Sequence, residues 1–422
     1  MRRIVLTCGA VLILLGAGSA VAQAQSSSAA GALTAALNRG MGQIGGASSA
    51  YVVDLNTGQT LYSNAASTGR LPASVEKIYT TSTALLRFGP SATLTTAVLG
   101  SGTIDAHGGW HGTLYLKGGG DPTFGSASFD RSAYGTGATM QRLVANLVHT
   151  THISSVQGRI VGDESYFDSL RGTPATGFGP DLADVEGLLS ALAYDRGFAN
   201  FDGTVPQPRP TLYATQQFVA ALRAAGVKVS SKTPVYTGQA PPSATRLATV
   251  QSPQISKLIQ LTNTPSDNYL AEMLLKGLGA RFGGAGTTAA GAAVVRAELA
   301  NRFGIAPQLV DGSGLSRADS TSPRQVVAVL SQMYTDPVFF NSLAIGGQTG
   351  TLQYEMQGTA AQGNCHGKTG TLHDVANLAG YCRARDGDEL VFAFLANGIG
   401  DASYVHGVEG NDMAPALAAY DG

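Results

Sequence analysis

Residues Leu71–Ile78 read Leu-Pro-Ala-Ser-Val-Glu-Lys-Ile, and this stretch decides how the rest of the chain is interpreted. The proline restricts the backbone just before a run, Ser74 to about Leu86, whose residues favour a helix. Because positions three apart share one face of a helix, the Ser74 hydroxyl and the Lys77 amine can meet. A lysine whose pKa is lowered by burial, a nearby positive charge or the helix dipole can be the base that activates a serine. By itself the pattern is more typical of an ordinary helix start with a solvated lysine.

The first 24 residues have the composition of a secretory signal peptide. A basic Met-Arg-Arg start precedes an apolar run from Ile4 to about Val21, and Ala22-Gln23-Ala24 has the small-x-small form of a signal peptidase site. We therefore predict that residues 1–24 are removed and that a soluble, extracytoplasmic protein, periplasmic or secreted, begins near Gln25. The alternative is a retained N-terminal anchor.

Charge and motif content exclude several functional classes. Removal of Arg2 and Arg3 takes the net charge from −1 to −3, which is not the footprint of a nucleic-acid-binding protein. The seven histidines include no His-Glu-x-x-His and no Cys/His cluster with zinc spacing, so we expect neither a metal site nor a cofactor. About 400 residues with 44% hydrophobic content can bury large cores and suggest two or more domains.

A second motif, Ser266-Asp267-Asn268, lies at a break between two predicted helices, Ile255–Leu261 and Tyr269–Leu278. At such a break a serine hydroxyl and an asparagine amide can both face a cleft. The amide can hold a substrate carbonyl, and the hydroxyl can pass a proton to or from a nearby amine. Serine and asparagine also cap helices for purely structural reasons, so this motif carries little weight alone.

A third motif is Lys368-Thr369-Gly370-Thr371, near the end of the first strand of a predicted antiparallel meander. The other strands are Asn377–Arg383 and Glu389–Ala396. A lysine and a hydroxyl there suit a substrate carboxylate, a glycine lets a ligand backbone approach, and the Thr371 N–H is placed to serve an oxyanion. The alternative is a solvated lysine on an edge strand.

The three motifs are informative together. Of the seven lysines, only Lys77 has a serine three residues before it, and only Lys368 is followed by Thr-Gly. The order Ser-x-x-Lys, Ser-x-Asn, Lys-Thr-Gly is the motif set of class A β-lactamases and penicillin-binding proteins. The combination therefore indicates a serine acyl-transfer enzyme.

The chain resembles one branch of that superfamily, the D-alanyl-D-alanine carboxypeptidase/endopeptidase family, also called class C low-molecular-mass penicillin-binding proteins. Ser266 lies 192 residues beyond Ser74, which leaves room for the large insert that this family carries, whereas β-lactamases usually place the second motif closer. The resemblance covers essentially all of the mature chain. Further matching stretches are Leu116–Thr123, Ser266–Glu272, Asp311–Arg317 and Leu378–Tyr381. The middle of the insert, Gly177–Asn200, matches the family only loosely.

The resemblance implies an α/β (α+β) fold with a transpeptidase-like catalytic domain, whose antiparallel sheet is flanked by helices. That domain would comprise residues 25–90 and 246–422, and residues 91–245 would form one or two inserted domains. From the alternation of predicted strands and helices we also expect this insert to be a separate α/β module, and we expect it to contribute no catalytic group.

The resemblance also assigns roles to the motif residues. Ser74 would be the acylated nucleophile, Lys77 its base and Ser266 a proton relay. The substrate would be held through Asn268, Lys368, Thr369 and Gly370, and the oxyanion hole would be the N–H groups of Ser74 and Thr371. The implied substrates are peptidoglycan stem peptides that end in D-Ala-D-Ala, or D-centred cross-links, with β-lactam antibiotics as inhibitors. The stretch Asp311–Arg317 would shape or support the site.

Two other functions fit parts of the sequence. A serine β-lactamase or esterase would share the acylation step and differ in rapid attack of water on the acyl-enzyme. A non-catalytic wall-binding protein would need no activated nucleophile, so the presence of the motif residues argues against it.

Cys365 and Cys382 are the only cysteines left after removal of the signal peptide. If the hairpin that carries Lys368 is centred between His373 and Asp374, the two cysteines face each other at a separation that a disulfide tolerates. An oxidising compartment would allow the bond to persist. The alternative is two buried free thiols.

Overall fold

The computed structural model of the chain describes the backbone of residues 14–422 and the side chains from Ser28 onward. The start of the predicted signal peptide, residues 1–13, lies outside the described residues, as do the side chains of the rest of residues 1–24. None of the helices in the described part combines the length and the apolar character needed to cross a membrane.

The strands of the described chain fall into two large sheets and one small one. Their bounds are β1 Ala47–Asp54, β2 Thr60–Asn64, β3 Thr95–Ile104, β4 Gly109–Lys117, β5 Phe124–Gly125, β6 Ala138–Thr139, β7 Ser155–Asp163, β8 Lys228–Val229, β9 Val235–Thr237, β10 Thr245–Gln251, β11 Ala344–Ile345, β12 Cys365–Leu372, β13 Val375–Arg383 and β14 Glu389–Asn397.

The α-helices flank these sheets. Their bounds are α1 Leu14–Ile44, α2 Lys77–Phe88, α3 Ala127–Ala133, α4 Met140–Thr151, α5 Pro210–Ala224, α6 Ile255–Asn263, α7 Asn268–Phe282, α8 Thr288–Glu298, α9 Pro323–Met333, α10 Pro337–Phe340, α11 Ala402–Val408 and α12 Ala414–Ala418. Short 3₁₀ turns at Ala73–Glu76 and Pro174–Thr176 and a π turn at Glu409–Met413 matter for the site.

The first large sheet has the order β11-β12-β13-β14-β1-β2, and every pair in it is antiparallel. Its central strand β13 is buried along its whole length except at Arg383, and its side chains alternate between two cores. Ala379 and Tyr381 pack against the core that contains α2, α6 and α9, whereas Leu378 and Cys382 pack against the core that contains α1, α11 and α12. The sheet is thus covered by helices on both faces, and the predicted fold class is confirmed.

The second large sheet has the order β10-β3-β4-β7-β8, with β9 also paired to β7. It mixes antiparallel pairs, β10 with β3 and β3 with β4, with parallel pairs that involve β7. Helices α4 and α5 cover one face through a core that includes Leu143, Leu147 and Phe218. All of its strands lie between Thr95 and Gln251, so this sheet is built from the segment between the first two motifs. The predicted domain boundaries stay a prediction.

Candidate active site

The nucleophile candidate lies on a tight turn at the start of α2. Residues Ala73–Glu76 form a 3₁₀ turn, and the α-helix begins at Lys77, three residues later than the sequence pattern indicates. Ala73 has a left-handed backbone, with φ 45°, and its carbonyl is so close to Gly314 that a Cβ at residue 314 would lie 1.9 Å from it. Gly314 is therefore required for the turn to pack against this loop. The turn still brings Lys77 Nζ to 2.7 Å from Ser74 Oγ.

The amine of Lys77 is fully buried and makes three hydrogen bonds. It donates to Ser74 Oγ at 2.7 Å, to Asn268 Oδ1 at 2.5 Å and to the Ser313 carbonyl at 3.0 Å. An ammonium has three N–H donors, so all of them are used. Burial lowers the pKa of Lys77 to about 8, against the opposing effect of nearby carboxyl groups, of which Asp267 is the strongest. Loss of one proton would turn the bond to Ser74 around, so that the hydroxyl donates to a neutral amine.

Buried carboxyl groups lie behind this lysine. Glu76, Asp311 and Asp319 each bring one oxygen within 4.8 Å of the others. Such a set of oxygens could in principle surround a cation. Burial and the neighbouring carboxyls raise the pKa of Asp319 to about 8 and that of Glu76 well above its usual range. Burial and mutual repulsion therefore favour the protonated forms of Glu76 and Asp319, which carry no charge to oppose deprotonation of Lys77.

The second motif forms the link from α6 to α7. Asp267 caps α7 by accepting from the Leu270 N–H, and Asn268 begins the helix. Asn268 accepts from Lys77 and donates through Nδ2 to the Asp184 carbonyl at 2.6 Å. Ser266 lies in the turn with a left-handed backbone, φ 69°, and it is not among the three hydrogen-bond partners of Lys77. The motif thus brings Asn268 into direct contact with the lysine and leaves Ser266 without such a contact.

The third motif lies on β12 beside the nucleophile turn. A Cβ on Gly370 would lie 2.7 Å from the Pro72 carbonyl oxygen and 3.2 Å from the Ser74 nitrogen, so the missing side chain permits this approach. Lys368 is fully buried and donates to the Thr369 carbonyl at 2.8 Å. Burial, reinforced by the positive charge of Lys77, holds the pKa of Lys368 well below its usual range. The Thr369 hydroxyl donates to Thr351 Oγ1 at 2.8 Å. Both side chains therefore already have protein partners.

The remaining residue of this motif, Thr371, is exposed in a cleft of about 710 Å³. The same cleft is lined by Ser74 and Asn268, by the stretch Gly314–Arg317, and by the insert residues Pro174, Ala175, Thr176, Asp181 and Asp184. The insert therefore forms one wall of the cleft. The wall carries no sequence motif, since Asp168–Asn200 is irregular in composition and has no strand or α-helix.

Arg196 fixes this part of the insert to the second motif. Its guanidinium pairs with Asp267, donates to the Tyr134 hydroxyl at 2.6 Å and lies over the ring of Tyr269 at 5.2 Å. All of these partners are buried or nearly so. A buried arginine with a planar donor set suits such a junction, because several bonds form without loss of charge. Sequence reasoning missed this residue.

Cys365 and Cys382 occupy directly opposed positions on β12 and β13 and are joined by a disulfide, with Cα atoms 4.1 Å apart. The strand register is the one expected for a hairpin centred between His373 and Asp374. Lys368 and Thr369 follow on the same strand, so the bond fixes β12 to β13 close to the cleft.

Comparison with known proteins gives a consistent result. The sequence pattern of the D-Ala-D-Ala carboxypeptidase 3 (S13) family matches residues 30–184 and 198–415. A D-alanyl-D-alanine carboxypeptidase from Actinomadura sp. strain R39 is 30% identical, over 84% of this chain and 78% of that protein. Carboxypeptidase DacB of Mycolicibacterium smegmatis is 32% identical, over 87% and 80% respectively.

Solved structures show the same fold. Penicillin-binding protein 4 (dacB) of Haemophilus influenzae superposes with a TM-score of 0.71 at 21% identity, covering 88% of this chain and 97% of that one. A predatory peptidoglycan endopeptidase from Bdellovibrio bacteriovorus gives a TM-score of 0.52 at 17% identity, covering 82% and 85%.

Proposed function

The chain belongs to the D-Ala-D-Ala carboxypeptidase 3 (S13) family, and we propose that it is a serine-type D-Ala-D-Ala carboxypeptidase, a D,D-endopeptidase or both. The observation that carries this function is the 2.7 Å contact between Ser74 Oγ and a buried Lys77 whose pKa is lowered to about 8. A lysine with such a pKa is partly neutral near physiological pH and can accept a proton from the serine.

Acylation begins when the neutral Lys77 amine takes the Ser74 hydroxyl proton and Oγ attacks the carbonyl carbon of the penultimate D-alanine. The oxyanion that forms would be held by the N–H groups of Ser74 and Thr371. Collapse breaks the peptide C–N bond, and the departing amine receives the proton from Lys77, with Ser266 as its relay. The products of this step are a Ser74 ester and free D-alanine or, for a cross-link, the released donor amine.

Deacylation reverses the proton transfers. A water molecule gives a proton to neutral Lys77 and attacks the ester carbonyl, and Ser74 Oγ leaves with a proton returned by the lysine. β-Lactams would acylate Ser74 in the same way. Their acyl group keeps its second ring, which occupies the position that the water needs, so we expect the adduct to be long-lived.

Recognition of the peptide would use the residues on either side of the nucleophile, at the start of α7 and on β12. Asn268 would bind the amide of the acyl side, after its own bond to Lys77 is exchanged. Lys368, Thr369 and Gly370 of β12 would border the terminal carboxylate and the backbone that leads to it. Because Lys368 is buried and donates to the Thr369 carbonyl, we expect it to act by fixing the strand beside the carboxylate, and the exposed hydroxyls to make the direct contacts.

This function requires access to peptidoglycan, and we propose that the protein works outside the cytoplasm, periplasmic or secreted and associated with the cell wall. The composition of residues 1–24 supports export. The disulfide between Cys365 and Cys382 supports it independently, because such bonds persist chiefly in oxidising compartments.

Digestion of purified muropeptides by the mature protein, read by mass spectrometry, tests the proposal. We expect loss of one alanine from pentapeptides and conversion of cross-linked dimers to monomers, both abolished in Ser74→Ala. Rapid turnover of a chromogenic cephalosporin with intact muropeptides would instead identify a β-lactamase. Binding of peptidoglycan with neither reaction would identify a wall-binding protein.

A further inference from the structure

A histidine and a buried glutamate lie behind Thr371, the exposed hydroxyl of the third motif. Thr371 Oγ1 is 2.7 Å from His406 Nε2, and His406 Nδ1 is 3.4 Å from Glu409 Oε2. Glu409 is fully buried, and neither of its carboxyl oxygens has a hydrogen-bond partner among the described residues. Burial raises the pKa of Glu409 to about 7, and the proximity of His406 opposes that rise.

The fold holds this hydroxyl–imidazole–carboxylate series in place. Helix α11 is capped by Asp401 and continues into the π turn Glu409–Met413, so His406 and Glu409 lie one turn apart. Val405 and Val408, on the neighbouring positions of the helix, pack into the core beneath β13. The packing of these two valines therefore holds His406 in place, and the Nε2 edge of its imidazole contacts Thr371.

The charged surroundings of the pair are few. Glu355 is the other carboxyl that acts on Glu409, and it approaches the Asn411 amide at 3.4 Å. Asp412 lies on the same π turn at the surface, and His373, Asp374 and Arg317 lie beyond Thr371 at the mouth of the cleft. The residues of α1 and β13 that pack in the same core, such as Leu37, Met41 and Leu378, are apolar. Among these groups, Glu409 is thus the carboxyl in direct contact with His406.

Resting on the function proposed above, we propose that His406 and Glu409 are positioning residues that orient the Thr371 hydroxyl to donate to the carboxylate of the substrate. In this arrangement Nδ1 of His406 faces Glu409, and Nε2–H donates to Thr371 Oγ1. The hydroxyl proton of Thr371 is then directed into the cleft, where it can donate to an anionic oxygen.

The positions of the other carboxylate-binding groups favour this role for Thr371. The Thr369 hydroxyl already donates to Thr351, and Lys368 is buried and bonded to a backbone carbonyl. Thr371 is the member of the motif whose hydroxyl is exposed in the same cleft as Ser74. The imidazole of His406 lies 2.7 Å behind that hydroxyl and can fix the direction in which its proton points.

The test compares two thioesters that share one acyl-D-alanyl group and differ in whether the leaving group carries a carboxylate. We expect His406→Leu and Thr371→Val each to raise KM about tenfold for the carboxylate thioester, the size expected for one charged hydrogen bond, and to raise KM for the neutral thioester by a smaller factor. The double variant should be no worse than either single variant, and Thr371→Ser should restore wild-type values.

Equal losses on both thioesters, or additive losses in the double variant, would overturn the positioning role and indicate a purely structural contact. Thr371→Val keeps the result interpretable if His406→Leu fails to fold, because residue 371 is exposed. Failure of the proposed function looks different: wild-type protein would then hydrolyse neither thioester, and this inference would fall with it.

Discussion

The two walls of the cleft are built in opposite ways. On one wall, Lys77 is fully buried, fully hydrogen-bonded and held between a 3₁₀ turn and the start of α7. On the other, the insert residues between Pro174 and Asp184 are irregular and largely solvent-accessible. In the proposed function the buried wall supplies the chemistry, because burial is what lowers the pKa of Lys77. The open wall presents apolar, hydroxyl and carboxylate side chains, and in the proposed function these would contact the peptide. The contrast between the walls predicts that mutations in the buried wall change reactivity and that mutations in the open wall change specificity.

The largest effect should come from the buried wall. Lys77→Ala removes the base, and we expect the acylation rate to fall by ~10²–10⁴-fold, the usual contribution of general base catalysis. Lys257→Ala, which removes a lysine that pairs with Gln260 outside the cleft, is the matched control and should leave the rate unchanged.

The pH profile of the wild-type enzyme should show the same base. Because the neutral form of Lys77 accepts the proton and its pKa lies at about 8, acylation should accelerate as pH rises through that value. Stopped-flow measurement of penicillin acylation gives the profile. A rate that falls with rising pH between 6 and 8 would contradict the assignment of Lys77 as the base.

The junction between the two walls should show the next effect. Arg196→Met leaves Asp267 as an uncompensated charge at a buried site, and such a change typically lowers the free energy of unfolding by roughly 3–5 kcal/mol. Urea unfolding measures the loss. Arg196→Met with Asp267→Asn should recover part of it, whereas no recovery would show that the arginine acts through packing alone.

The disulfide should contribute slightly less. Replacement of Cys365 and Cys382 by alanine opens a loop of 17 residues, for which the chain-entropy model gives ~3 kcal/mol. We expect the denaturation midpoint to fall accordingly, and the wild type under reducing conditions to match the variant. Two alkylated cysteines in freshly purified, unreduced protein would contradict the bond.

The smallest effect on stability should come from the rim of the cleft, where Arg317 and Asp374 lie. Arg317 pairs with Asp374 at 2.7 Å, but its side chain is 59% exposed, and pairs of this kind contribute less than ~1 kcal/mol. We expect Arg317→Gln to change stability little and to alter KM for peptides more than kcat. A large loss of stability would show that the rim is part of the rigid wall, and the contrast between the walls would have to be abandoned.

The sequence was most informative where the rules are local. The spacing of Ser74 and Lys77 predicted their contact, although the contact forms through a 3₁₀ turn that precedes the α-helix. Strand periodicity predicted the meander and the opposition of Cys365 and Cys382, because one turn position fixes every pair in a hairpin. The three-motif pattern and the resemblance it supported predicted the fold class and the family.

What could not be predicted depends on contacts between segments far apart in the chain. The insert wall, the Arg196 junction and the contact of His406 with Thr371 join residues 35 or more positions apart, and none lies in a repeated pattern. The burial of Lys368 and the lack of contact between Ser266 and Lys77 likewise follow from packing that a short motif does not encode. The role of Ser266 as relay stays a prediction.

The central claim is that Ser74 is the nucleophile, and mass spectrometry of the protein after exposure to benzylpenicillin tests it most directly. We expect one added penicillin mass per chain, located in the tryptic peptide that contains Ser74, and no adduct in a folded Ser74→Ala variant. Ser266→Ala should still be labelled, only more slowly. An adduct that persists in Ser74→Ala, or that maps to a peptide without Ser74, would contradict the account.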